Sequence, residues 1–262
     1  MMAKTGIAII TCDRPDLFEK CAKSVCDTHS KLVDHLLVVN DGEQTVDPGK
    51  HFDVIHNKHN VGVGKSKNKA IKNLIKLGCK HIFVVEDDIC FANEHVVNKY
   101  ITLSKTSGVK HLNYCLHGTA NKQNGKAKPK LIIDYKHVKM ALYHNVTGAL
   151  SYYHKDVIKT CGLMDLKYKN AMEHVDHTMR IIKAGYHPPF RWFADVADSD
   201  QLLIDQDQSL SSSKIRKTQD WQHNFQFGVR RFQEIHSINV CDPSEPVEDK
   251  QHVVQFLKDL RK

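Results

Sequence analysis

Three consecutive carboxylates, Glu86-Asp87-Asp88, follow the most apolar run of the sequence, His81–Val85 (HIFVV). Acids at the end of a buried strand repel one another and lose hydration, so they call for a compensating cation. A hard divalent ion such as Mg2+ or Mn2+ suits them, because it prefers oxygen ligands and shares them with a diphosphate. An acidic turn that caps a helix is the competing reading, and spacing alone leaves both open. Upstream, Asn60-Val61-Gly62-Val63-Gly64-Lys65-Ser66-Lys67-Asn68 is a glycine-containing loop leading into a helix. Its glycines permit close backbone approach, the helix start offers free N–H groups, and Lys65 and Lys67 add charge suited to a phosphate. The GxxxxGK[ST] spacing of a P-loop is absent, and an ordinary turn with a helix start has the same composition.

These groups need elements to carry them. Short β-rich runs at Gly6–Thr11, His35–Asn40, Asp53–His56 and His81–Glu86 alternate with helical patterns. Leu17, Phe18, Cys21 and Val25 recur at helix spacing after Arg14-Pro15, and Ala70, Ile71, Leu74 and Ile75 do so before Gly78. The order predicts an α/β fold with a mostly parallel sheet flanked by helices, in which ligands bind beyond the carboxyl ends of the strands. Those ends carry Thr11-Cys12-Asp13-Arg14, Asn40-Asp41-Gly42 and Glu86-Asp87-Asp88. Ser104–Met140, rich in Lys, Asn and Gly, is expected to be an elaborated surface region. A strand is predicted over Val146–Tyr153, a helix near Met172–Ala184, and a loop or hinge over Asp205–Ser213. The aromatic and basic segment Trp221–Phe232 is expected to pack against the rest. A terminal helix should place Val253, Phe256, Leu257 and Leu260 on one face.

The 262 residues are 41% hydrophobic and 26% charged, which fits a globular chain and not a disordered one. No apolar run reaches the roughly 18 residues of a membrane helix, and the short N-terminal run lacks the features of a signal peptide. Eight cysteines without a CxxC read as reduced thiols, so a cytoplasmic protein is expected. His187 and His223 are the histidines considered as late metal ligands; His51, His56 and His59 read as surface residues.

The motifs together carry a resemblance. TCDRPDLFEKCAKSV, VVNDG, NVGVGKSKNKAI and EDD resemble, in order, the first strand and helix, the second acidic strand end, the glycine loop and the DXD metal motif of family 2 type glycosyltransferases. GALSYYHKDVIKTCGLMD followed by EHVDHTMRIIKAGY resembles that family's acceptor side. The resemblance covers about residues 5–195 and implies a GT-A fold. It implies a catalytic domain over 1–205, split into a nucleotide-sugar-binding half (1–92) and an acceptor half (93–205), with a helical extension over 206–262. It also implies transfer of a hexose or pentose, with inversion, from a UDP-sugar to a hydroxyl, with Mn2+ or Mg2+.

Carried over residue by residue, Asp41 resembles the nucleobase contact, with Thr11, Asp13 and Arg14 near it. Lys67 and Asn68 fall where the family has an Arg-Asn pair beside the nucleotide, and lysine loses the bidentate geometry of arginine. Gly62 and Lys65 belong to the same donor loop. Asp88 aligns with the direct metal ligand, while Glu86 and Asp87 would contact the ribose or support the metal. Lined up on Arg180, the family's base aspartate falls on His174, so the base is Glu173, His174 or Asp176. A solvated helix face is the plainer reading of these three, with Met172, Val175 and Met179 buried behind them.

The net charge of +8 is unevenly placed. Residues 50–81 and 104–140 each hold eight lysines and one aspartate. Such local excess favours a polyanion, although a solvated lysine face is the plain alternative. With no membrane anchor evident, the acceptor expected first is a hydroxymethylated pyrimidine in double-stranded DNA, as for bacteriophage enzymes that glycosylate such bases. Arg216, Lys217, Arg230 and Arg231 are candidate phosphate contacts. A capsular, lipopolysaccharide or teichoic-type glycan is the alternative acceptor. A non-catalytic nucleic-acid-binding protein and a nucleotidyltransferase are readings from other classes.

Overall fold

A computed structural model describes residues 3–209, 213, 215–242 and 244–261. Residues 210–212 of the expected Asp205–Ser213 loop lie outside the described residues. The first half alternates as predicted: β1 (Thr5–Thr11), α1 (Pro15–His29), β2 (His35–Asn40), β3 (Asp53–His56), α2 (Val63–Lys76) and β4 (His81–Glu86). In β1 the two-residue period sorts the side chains. Ile7 and Ile9 join Phe18, Cys21, Ala22 and Val25 of α1 in one core cluster. Ala8 and Ile10 join Ala70, Ile71 and Leu74 of α2 in another. Each fully buried isoleucine contributes roughly 1.5–3 kcal/mol of apolar transfer, and the strand is buried on both faces, as parallel strands are.

The second half begins with β5 (Ile89–Phe91), α3 (His95–Ser107) and β6 (His111–Asn113), followed by a small hairpin of β7 (Lys122–Gln123) and β8 (Lys126–Ala127). Then come β9 (Leu131–Asp134), β10 (Lys139–Tyr143), β11 (Leu150–His154), α4 (Lys155–Cys161), α5 (Glu173–Lys183), β12 (Phe193–Val196), α6 (Ser199–Leu202) and β13 (Leu203–Asp205). The C-terminal part adds α7 (Trp221–His236) and α8 (Lys250–Asp259). The main sheet runs β3-β2-β1-β4-β11-β6. Its first four strands are parallel, while β11 is antiparallel to both β4 and β6. A second, antiparallel sheet runs β12-β10-β9.

Two expectations need correction. The strand predicted from Val146 begins only at Leu150; 146–149 is a loop, because its carbonyls and amides serve other partners, such as Gly148 O for Lys67. The 104–140 segment is not only surface. His111 to Leu116 is buried; His111 bonds Tyr152 O and Thr178, and Asn113 Nδ2 donates to Ser151 Oγ. Polar residues inside a short strand hid its core position.

Candidate active site

The site assembles at the carboxyl ends of β1, β2 and β4. The β1–β4 register pairs Ile10 with Glu86, and the ladder continues with Asp87 N donating to Ile10 O at 3.1 Å. Pro15 occupies the first turn of α1, so the helix starts directly after Arg14, whose carbonyl accepts from Phe18 N. The Arg14 guanidinium then donates to Asp87 Oδ1 and, at 3.0 Å, to Asp88 Oδ2. Thr11 Oγ1 donates to Asp87 Oδ2 at 2.7 Å.

Lys67 enters from the first turns of α2. Only 2% exposed, it donates to Glu86 Oε1 at 2.5 Å and to Gly148 O at 2.8 Å. Gly148 is a close-approach position. A Cβ there would lie 3.1 Å from both the His174 ring and Lys67 Nζ. On the far side, Glu173 is buried and His174 is partly exposed, with His174 Nδ1 at 3.3 Å from Glu173 Oε1. The charged groups therefore run Asp88, Arg14, Asp87, Glu86, Lys67, Glu173, His174.

The protonation equilibria follow from that alternation. Burial pushes the Asp87 carboxyl up to about 7, against the pull of Arg14. Burial alone would raise Glu86 too, but the Lys67 ammonium outweighs it and holds Glu86 at about 2. Asp88 is raised by burial and then by the Glu86 charge. Burial opposes the charge on Lys67, yet Glu86 and then Glu173 keep its pKa above the ordinary lysine value. Glu173 is lowered despite burial, by its bond to His174 and by the charges of His174 and Lys67.

Several predicted residues also hold the chain around the site. Asp41 organises the glycine loop: its Oδ1 accepts from Asn57 Nδ2 at 2.7 Å and Val61 N at 2.8 Å, and its Oδ2 from Gly62 N at 2.9 Å. Gly62 takes φ +90° there, which a side chain would resist. Asp13 Oδ1 accepts from the amides of Glu43 and Gln44. Asn68, expected beside a nucleotide, has both amide atoms on Met164, Nδ2 to its carbonyl at 2.9 Å and Oδ1 from its amide at 3.0 Å. Lys65 is exposed at the start of α2.

Asp176, one of the three base candidates, is occupied by Arg180 Nε at 3.0 Å, His236 Nε2 at 2.9 Å and Tyr168 OH at 3.3 Å. It ties α7 to α5 and is buried. The solvated-face reading also fails, because Glu173, Asp176 and His177 are buried together with Val175 and Met179. Arg231 is paired with Asp165 at 2.5 Å and packs over Tyr168, whereas Arg216, Lys217 and Arg230 are exposed. His187, considered as a metal ligand, is a core residue held by Pro188 O and Ala194 N, and His223 is exposed on α7.

His117 escaped sequence reasoning because a lone histidine in a Lys- and Gly-rich stretch has no periodic or motif signal. It lies 3.2 Å from Asp205 Oδ1. Burial opposes its charge, but Asp205 and Asp88, with Glu86, raise its pKa. Strand β13 pairs with β5, and Gln206 N donates to Asp88 O at 2.9 Å, which brings Asp205 and His117 to the acidic strand end.

Asp88 Oδ1 is buried and has no hydrogen-bond partner, and Asp88 is 3% exposed. A bare, buried carboxylate oxygen fits a hard cation. Among the described residues no group of three His, Cys, Asp or Glu side chains is disposed to hold a metal by itself. That donor set suits an ion that takes most of its oxygens from a diphosphate and water.

No protein-family model and no curated protein matches this chain. Among solved structures, S. aureus TarS 1–349 in complex with UDP-GlcNAc aligns with a TM-score of 0.55 at 12% identity, over 98% of this chain and 71% of that one. A second structure of S. aureus TarS 1–349 gives 0.53 at 13% identity, over 98% and 80%. The mannosyltransferase PcManGT from Pyrobaculum calidifontis, in complex with GDP-Man and Mn2+, gives 0.48 at 10% identity, over 70% and 53%. This chain spans 33% of a longer TarS chain and about half of PcManGT. At these identities the likeness is one of fold. The architecture is GT-A: a mainly parallel central sheet flanked by helices.

Proposed function

We propose that this chain is a metal-dependent glycosyltransferase that moves a sugar from a nucleoside-diphosphate sugar, a UDP-sugar first, to a hydroxyl acceptor. The observation that carries the reading is the pairing of one bare buried oxygen, Asp88 Oδ1, with the Glu173–His174 pair reached through Glu86 and Lys67. The donor loop and the acidic strand end lie where α/β sheets bind ligands.

In this reading Glu173 orients the His174 ring through Nδ1, and His174 Nε2 takes the proton of the acceptor hydroxyl. The hydroxyl oxygen attacks the anomeric carbon as the bond from that carbon to the diphosphate breaks, and the nucleoside diphosphate leaves with the electron pair. A single displacement of this kind inverts the anomeric centre. Asp88 would hold Mn2+ or Mg2+, with Asp87 and Glu86 behind it, and the ion would supply charge stabilisation to the leaving diphosphate. Lys67 keeps Glu86 and Glu173 ionised at neutral pH and fixes Gly148 beside His174.

For the acceptor we infer hydroxymethylated pyrimidine in double-stranded DNA. Support comes from the exposed Lys126 and Lys128, which follow Asn121, a residue that bonds Cys115 O and Asn145 O at 2.8 Å each. Exposed Arg216, Lys217 and Arg230 add to the charge. Such residues would hold phosphates, and the target base would be flipped to reach the pocket. A second acceptor class, a capsular, lipopolysaccharide or teichoic-type glycan, gains from another observation. Lys80, Lys105 and Lys110 act on His81 and His154 at the amino end of β4, opposite the site, so part of the lysine excess faces away from it.

Sugar nucleotides assayed against hydroxymethylcytosine DNA, unmodified DNA and glycans, with metal and with chelator, test both levels. Metal-dependent transfer to the modified base is expected. Transfer to a glycan and to no DNA overturns the DNA acceptor alone.

A further inference from the structure

We propose that Arg14 is the resident counter-cation of the acidic strand end and makes divalent-ion loading conditional on the donor's diphosphate. The inference rests on the transferase reading but concerns a different property, the order in which ion and nucleotide can bind.

Most of the carboxylate oxygens are spoken for by the chain itself. Arg14 holds Asp87 Oδ1 and Asp88 Oδ2, Thr11 holds Asp87 Oδ2, and Lys67 holds Glu86 Oε1. Asp87 therefore has no bare oxygen, Asp88 has the buried Oδ1, and Glu86 keeps Oε2 outside its bond to Lys67. Two such oxygens on separate side chains are a poor site for Mn2+ or Mg2+, which require near-octahedral oxygen coordination. The guanidinium is also a fixed positive charge within hydrogen-bond distance of Asp88 Oδ2, the partner of the bare Oδ1. With the Arg14 side chain 15% exposed and its partners at 5% or less, salt screens this repulsion weakly.

Arg14 cannot readily swing away. Its carbonyl starts α1, Pro15 fixes the next backbone angle, and its side chain is shared between two carboxylates. A diphosphate changes the balance. It brings oxygens that complete the coordination shell and negative charge that offsets both the guanidinium and the ion. The ion then binds as a partner of the nucleotide, and without it Arg14 already pairs with both aspartates while Lys67 pairs with Glu86.

Mn2+ binding to the full chain, measured by calorimetry and by loss of the free-ion EPR signal with and without UDP, tests this. Wild-type protein, Arg14→Gln and Arg14→Lys are compared, with thermal unfolding as the check of folding. The wild type is expected to bind Mn2+ roughly tenfold or more tightly with UDP than without it. Arg14→Gln should gain roughly tenfold or more in affinity for Mn2+ alone, while Arg14→Lys stays close to wild type. Wild-type protein that binds Mn2+ equally well without UDP overturns the proposal, and this arm needs no variant. Equal affinity of wild type and Arg14→Gln for Mn2+ alone overturns the role of Arg14 and leaves the transferase reading standing. Mn2+ that binds neither protein under any condition overturns both.

Discussion

Lys67 Nζ sits 2.5 Å from Glu86 Oε1, and the two join strand β4 to helix α2. Lys67 also bonds Gly148 O and stands close enough to Glu173 to hold its carboxyl down. Removing the ammonium leaves the half-buried Glu86 without its ion-pair partner and the buried Glu173 with His174 alone. Lys67→Met is therefore expected to cost about 3–5 kcal/mol of stability in urea denaturation, whereas Lys67→Arg keeps the charge and should lose less. Equal stability of Lys67→Met and wild type would show that the pair does not hold this corner.

Asn68 clamps the backbone of Met164 with both amide atoms. Asn68→Ala leaves a buried N–H and carbonyl unsatisfied and should cost about 1–3 kcal/mol. Nucleotide affinity, measured by UDP titration, should stay unchanged. A large loss of UDP affinity with stability intact would restore the role expected from its position beside Lys67.

Much of this was legible in the sequence, and what was missed has physical causes. The strands ending at Thr11, Asn40, His56 and Glu86 are β-rich runs bounded by turn residues, so periodicity located them to within a residue. The carboxylates of the EDD run are visible by type alone. Arg14 and Thr11 could be grouped with them because all lie at carboxyl ends of neighbouring parallel strands. His117 and Asp205 were not legible: they reach the site through the β13–β5 pairing, a contact between segments more than 100 residues apart. Asp176 reads as a base in a linear motif, but only the packing of α7 shows that His236 and Arg180 already occupy it.

That packing has its own consequence. His236 is buried and donates to Asp176, two residues after His174 on α5. Gly228 lies against Met172, whose left-handed backbone (φ 67°) precedes the helix that carries Glu173 and His174. His236→Ala should lose about 1–3 kcal/mol of stability and lower turnover more than it raises KM. His236→Gln, which can still donate to Asp176, should recover part of both. An unaltered kcat in His236→Ala would separate the extension from the chemistry.

Five buried histidines weaken the fold in acid: burial holds His111 well below the ordinary imidazole range, and four more follow it. Burial lowers His29, His81, His177 and His187 to about 4, while an unfolded histidine titrates near 6.5. Their folded-state pKa values are depressed, so the stability they contribute is present above about 6.5 and is lost as pH falls toward 4. Each of these imidazoles takes up a proton on unfolding in that window, partly offset by the Asp87 and Asp195 carboxyls, which burial raises to about 7 and which release theirs. Denaturation midpoints measured from pH 7.5 to 4.5 should fall steadily, and a flat profile would mean that these imidazoles protonate inside the fold.

Donor turnover at Asp88 is the most direct measurement. UDP release from a UDP-sugar in the presence of acceptor is followed for wild type, Asp88→Asn and His174→Ala, with Mn2+ and with EDTA. Release is expected in the wild type with Mn2+ and not with EDTA, reduced about 100-fold or more in Asp88→Asn, and reduced about 100-fold or more in His174→Ala without loss of Mn2+ binding. Near-wild-type, chelator-insensitive turnover in Asp88→Asn would contradict a metal-assisted transferase built on this strand end.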